Sequence, residues 1–253
     1  MEKLRAARLL RMLRLLACVL ILKVTLSVVL GYRDYFPPNF ASDFLRGREA
    51  YFFGAYQWAF YLHIASGPIS LLLGLLLFSE QFRTRYRKWH RLLGKIQVII
   101  VLLILVPSGL WMARYAETGT VAAAGFSMLS VATGVCVVLG WRMAVQKRFT
   151  EHRRWMSRCF LMLCSAVVLR LFGGLVTVIG VQATGSYPLA AWASWLVPLA
   201  VFELSCMTMA RVAPTSILDD RHSSTSARTS ASVIEISSRR LSAGTSSARN
   251  STL

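Results

Sequence analysis

Six apolar segments of about twenty residues run through this chain, separated by short polar connections. An α-helix rises about 1.5 Å per residue, so about 20 apolar residues cross the roughly 30 Å of hydrocarbon in a bilayer. The segments fall at about 13–31, 55–78, 96–115, 121–145, 155–180 and 190–211. They predict an all-α polytopic membrane protein with six transmembrane helices in a bundle. Hydrophobic residues make up 55% of the 253 positions, and the mean hydropathy of +0.53 is too high for a soluble domain of this length. The formal net charge of +18 sits in short blocks between apolar runs. That is the pattern of membrane topology rather than of a nucleic-acid surface, so no nucleic-acid partner is expected.

The blocks also predict orientation. Lys3, Arg5, Arg8, Arg11 and Arg14 precede the first segment; Arg83, Arg85, Arg87, Lys88, Arg91 and Lys95 join the second to the third; Arg142, Lys147, Arg148, Arg153 and Arg154 join the fourth to the fifth. The alternate connections hold few: Arg33, Arg46 and Arg48, then Arg114. The positive-inside bias places both termini and these basic connections on the cytoplasmic side, against anionic lipid head groups. Trp89 and Trp155 fit the inner aromatic belt, and Trp192 and Trp195 the outer one. The chain then divides into a basic N-terminus (1–12), a six-helix domain (13–212) and a Ser/Thr/Arg-rich cytoplasmic tail (213–253) too poor in apolar residues to order itself. In the tail, Arg239-Arg240-Leu241-Ser242 matches a basic-directed kinase site at Ser242, and His222 is expected to be inert. The first segment reads as a retained helix, because its apolar run is long and no small-residue cleavage site follows. Its Arg-rich, acid-poor start also matches mitochondrial targeting, so the membrane is left open between plasma and internal ones. The five cysteines all lie in apolar segments and read as small buried residues.

Ionisable residues at membrane depth face a bundle interior and need partners. Lys23, His63, Arg170 and Glu203 fall within the apolar segments. Counted from the outer ends of their helices, His63, Arg170 and Glu203 lie about 12, 15 and 20 Å deep. They form a candidate polar cluster, joined by Lys23 if it does not snorkel, which reads equally as a structural ion pair or as a substrate site. Gly67-Pro68 below His63 and Pro107-Ser108-Gly109 in the third segment are helix breakers that free backbone carbonyls.

His90 and His152 stand just ahead of the third and fifth segments, at one depth on the inner side. Two neutral imidazoles so placed suit axial ligation of haem b, with Gly94 one turn along making room for a flat ring. The plain alternative is a pair of head-group contacts. No Cys-x-x-Cys-His, HExxH, Walker A or GxSxG motif occurs, which removes c-type haem, metalloprotease, NTPase and serine-hydrolase readings.

Three stretches in order, FYLHIASGPISLLLG (60–74), RKWHRLLGKIQVI (87–99) and EHRRWMSRCFLMLCSAVVLRL (151–171), resemble the DUF2306 family of predicted membrane proteins. The matching positions are His63 and Gly67; His90, Arg91 and Gly94; and His152, Arg153, Arg154, Trp155, Met156, Leu169 and Arg170. The resemblance covers about 51–210 and implies a multi-helix membrane domain without an assigned activity. The topology is also distantly similar to that of cytochrome b561, whose histidines pair helix two with four and three with five. Here the three-with-five pair is present, whereas the fourth segment has no histidine. The leading expectation is a b-type haem on His90 and His152 serving transmembrane electron transfer. Its rivals are a carrier or channel using His63, Arg170 and Glu203, and a non-catalytic scaffold acting through its tail.

Overall fold

The computed structural model describes residues 2–42, 44–116, 119–180 and 187–208. The predicted tail, with Ser242 and His222, lies outside the described residues. Six helices are long and apolar enough to cross a membrane: α1 (Glu2–Leu30), α2 (Ala55–Phe78), α3 (Arg87–Ala113), α4 (Thr120–Val145), α5 (Phe149–Ile179) and α6 (Tyr187–Thr208). Among the described residues no strand forms, only an isolated bridge between Tyr35 and Pro38. Contacts divide the chain into one unit through Ala200 and a second from Val201. Of the second, residues 201–208 are described; they are helical, with Glu203 half-buried.

α3 begins at Arg87 and α5 at Phe149, several residues ahead of the apolar runs that predicted them. Both therefore carry their histidines inside the first turns, not in loops. The reason is amphipathicity: Arg87, Lys88, Arg91 and Lys95 are exposed on one face of α3, Gln97 is buried, and the half-buried His90 and Gly94 lie along the border between them. A count of apolar residues stops at the charges; the helix does not. Ser79 caps a further short helix, Glu80–Arg85, with its hydroxyl oxygen accepting from the Phe82 N–H at 3.4 Å.

Four helices make a square in the order α2, α3, α4, α5. Each packs on its two neighbours, and no close backbone approach joins the diagonals α2–α4 or α3–α5. α1 rests on α2 and α5. The first turns of α6 rest on α4, where Trp192 Nε1 donates to the Val121 carbonyl at 3.0 Å and its ring lies against Gly125. Trp195 is buried, so it belongs to the packing and not to an aromatic belt; at that end of the bundle Trp58 and Trp111 are the exposed indoles. Val101, Leu105, Cys136, Val137, Cys159 and Met162, from three of the four core helices, form the main apolar cluster, and the five cysteines are free thiols.

Where lipid is as apolar as the core, helices associate by close packing at small residues. A methyl group on Gly140 would lie 2.6 Å from Met156 Sδ, and one on Gly74 2.7 Å from the Phe160 ring. Gly173 has nothing within 4 Å. Gly140→Val should therefore overpack the α4–α5 seam by about 1–3 kcal/mol and lower the melting temperature in detergent, whereas Gly173→Val should leave it nearly unchanged.

Candidate functional site

Residues 31–42 and 44–54 fold over the end of the bundle away from the basic connections. Leu45 and Phe52 are fully buried there and pack with Tyr56 and Phe60 of α2. Arg48, 6% exposed, ties this cap to the helices. Its Nε donates to the Phe44 carbonyl at 2.6 Å, and Nη1 to Tyr51 Oη, Tyr56 Oη and the Tyr115 carbonyl at 3.2, 3.3 and 3.0 Å. The guanidinium also lies 4.6 Å above the Phe44 ring.

Below the cap, two prolines interrupt neighbouring helices. Pro68 has no N–H to give to the carbonyl four residues earlier, that of Ile64. The Tyr32 hydroxyl, at the start of the cap, donates to that carbonyl instead. In α3, Pro107 leaves a similar gap. The helix widens into a π turn over Val101–Leu105, with Val106 N–H reaching the Val101 carbonyl, and the Ser108 hydroxyl donates to the Ile104 carbonyl at 2.6 Å.

His63 faces Ser108, one residue past Pro107. Its Nδ1 lies 3.2 Å from Ser108 Oγ. With the Ser108 proton given to the Ile104 carbonyl and Nδ1 donating to Ser108 Oγ, the ring would keep a lone pair on Nε2. A methyl group on Gly109 would lie 3.2 Å from His63 Cε1 and 2.8 Å from Ser130 Oγ. Gly109 thus leaves room for His63 of α2 and Ser130 of α4 on either side of it. The fourth helix offers Ser130 where a diagonal partner would stand.

A cavity of about 310 Å³ opens between these elements. His63 and Arg170 both line it, with Tyr32, Tyr35, Arg48 and Tyr56 among its walls. Arg170 is within electrostatic reach of His63, Tyr32 and Tyr35. Its guanidinium makes one hydrogen bond, to the Ala166 carbonyl of its own helix at 3.3 Å, and among the described residues no carboxylate pairs with it. Lys23 is exposed on α1 and is not among the lining residues, although its neighbours Val24 and Thr25 are. Glu203 belongs to the second unit.

At the basic end, His90 and His152 occupy the diagonal helices α3 and α5, within electrostatic reach of each other. His152 Nδ1 lies 2.8 Å from the Gly140 carbonyl, so Nδ1 carries the proton and Nε2 keeps a lone pair. His90 Nδ1 is buried without a partner. A side chain at Gly94 would meet open space. Further along the same face, Gln97 donates from Nε2 to the Ser70 carbonyl at 2.9 Å, yet Gln97 Oε1 and Ser70 Oγ are buried and unpartnered. Among the described residues no group of three or more His, Cys, Asp or Glu side chains gathers as a metal site, a test that two axial imidazoles do not engage.

Arg48, Tyr32, Ser130 and Gln97 were not singled out by sequence. The density of aromatic residues between Tyr32 and Tyr61 was the one available signal for the cap. The profile of the family described as "Predicted membrane protein (DUF2306)" matches residues 60–206, which span α2 to most of α6. Neither the curated proteins nor the solved structures contain a match. Tyr32→Phe should leave the Ile64 carbonyl unpaired in an apolar setting and cost about 1–3 kcal/mol, read as a lower midpoint in thermal melting of the purified protein.

Proposed function

We propose that this chain, which belongs to the DUF2306 family of predicted membrane proteins, binds a small organic anion in the capped cavity and carries it across the bilayer. The observation that supports this reading is Arg170. A cation inside a membrane span costs about 3 kcal/mol or more unless something pairs with it. Arg170 faces a cavity and has no carboxylate partner among the described residues, so a ligand carboxylate would supply the missing charge through two parallel hydrogen bonds. The walls of tyrosine, phenylalanine and leucine suit an aromatic or short aliphatic body, and about 310 Å³ is the size of a small-ligand pocket. His63 Nε2 adds an acceptor and a proton carrier beside the anion. The helix breaks at Pro68 and Pro107 give α2 and α3 hinge points at the cavity wall. At the other end, the exposed Arg87, Lys88 and Arg91 would rest on anionic head groups.

Benzoate is a suitable probe. Proteoliposomes of the wild type should accumulate radiolabelled benzoate. Arg170→Gln should lower uptake at least tenfold, and Arg170→Lys should restore part of it. Equal uptake by wild type and Arg170→Gln contradicts the reading.

A second reading rests on a separate observation: His152 is held by the Gly140 carbonyl with Nε2 left for a ligand, diagonally across the square from His90. That is how a carbonyl orients an imidazole toward a metal. His90 and His152 would hold a b-type haem, which supplies one-electron chemistry, and the nearby Arg and Lys would pair with its propionates. Purified protein from haem-supplemented cells should then show a Soret band that His90→Ala and His152→Ala each abolish. A spectrum without that band sinks this reading and leaves the cavity untouched.

A further inference from the structure

The capped cavity holds a second cation that a single negative charge at Arg170 leaves unanswered. Arg48 of the cap is buried and lines the same space. Its hydrogen bonds run from Nε and Nη1 to two carbonyls and two tyrosine hydroxyls, all neutral oxygens. Among the described residues Nη2 makes no hydrogen bond, and no carboxylate pairs with this guanidinium. Nη2 therefore has two N–H donors to give. Neutral oxygens orient a buried cation without cancelling its charge, and a charge-assisted bond to an anion does cancel it.

The two guanidiniums have different neighbours. Arg170 is within electrostatic reach of Tyr32 and Tyr35, whereas Arg48 lies 4.6 Å above the Phe44 ring. Ring contacts connect the two places. Tyr35 meets Phe60 edge-on with 5.1 Å between centroids, and Phe60 stacks on Phe44 at 5.4 Å. All three rings line the cavity. An aromatic wall thus leads from one cation to the other, and a volume of about 310 Å³ holds one small ring with its substituents.

We infer that the cavity selects an aromatic dicarboxylate, with one carboxylate on Arg170 and the other on Arg48. This rests on the reading of the cavity as an anion site and names the substrate class of that site. A monoanion leaves one buried guanidinium without a counter-charge. A dianion whose carboxylates point away from each other answers both, and its ring packs against the wall of Tyr35, Phe60 and Phe44. Arg48 is then a specificity-determining residue, because it tells two charges from one.

The test is competition against radiolabelled benzoate uptake into wild-type proteoliposomes at about pH 7.5, where both carboxyls of a phthalate are ionised. Unlabelled isophthalate or terephthalate should inhibit at a concentration at least tenfold below that of unlabelled benzoate. Monomethyl terephthalate, with the same body and one charge, should fall back to within twofold of benzoate. Arg48→Gln should bring the dianion and benzoate within twofold of each other, and Arg48→Lys, which keeps a charge but loses the planar fork, should fall between. The ratio of two inhibitors is read on whatever uptake a variant retains, so a general loss of cap packing does not move it. The wild-type comparison with the monomethyl ester needs no variant at all. A wild type that both phthalates inhibit no better than benzoate overturns the inference, as does a tenfold preference that survives Arg48→Gln or Arg48→Lys. Wild-type vesicles that take up no benzoate contradict the anion site and this inference with it, whereas benzoate uptake without a dianion preference overturns this inference alone.

Discussion

Inside a bilayer every backbone carbonyl needs a donor from the protein itself, and Pro68 and Pro107 each take one away. The far half of the bundle is organised around these two breaks, the first met by Tyr32 and the second by a π turn over Val101–Leu105. Tyr32 donates to the Ile64 carbonyl and so fixes the start of the cap onto α2. Ser108 donates to the Ile104 carbonyl, and its oxygen lies 3.2 Å from His63 Nδ1. Gly109 leaves space that the His63 and Ser130 side chains both border. Without the gap at Pro68 the Ile64 carbonyl would not need the Tyr32 hydroxyl.

The square of α2 to α5 gives the protein two diagonals with different chemistry. At the basic end the α3–α5 diagonal carries His90 and His152, one ring held by a carbonyl and the other with a buried nitrogen unpaired. At the far end the α2–α4 diagonal carries His63 and Ser130, with Arg170 of α5 beside them in a capped pocket. Packing holds the frame rigid: Gly74 and Gly140 bring Phe160 and Met156 against the neighbouring backbones. The polar side chains therefore sit on a scaffold with little room to rearrange except at the two helix breaks.

Hydropathy was enough for the six spans, because length and apolarity are properties a window average captures; α2 was legible to the residue. The starts of α3 and α5 were not, because their first turns keep charges on one face and only the periodicity shows it. His63 and Arg170 were legible as a pair, since an ionisable residue at membrane depth is rare and expensive. Lys23 met the same criterion but is not among the residues that line the cavity, and a long side chain can snorkel. Tyr32 and Arg48 were invisible for the opposite reason: they lie in a polar connection, and only the fold brings them to Ile64 and Tyr115. The orphaned Gln97 and Ser70 follow the same logic, because a polar residue is unremarkable in sequence until its partners are seen to be missing.

The central claim is that Arg170 pairs with a ligand carboxylate inside the membrane. Solid-state NMR of the reconstituted protein, with 15N-labelled arginine and benzoate labelled with 13C at the carboxyl, measures that contact directly. A carboxylate bonded to a guanidinium places its carbon within about 4 Å of the nitrogens, so the account predicts a dipolar dephasing signal that Arg170→Gln removes. Absence of dephasing at saturating benzoate, or a signal that survives Arg170→Gln, would contradict it.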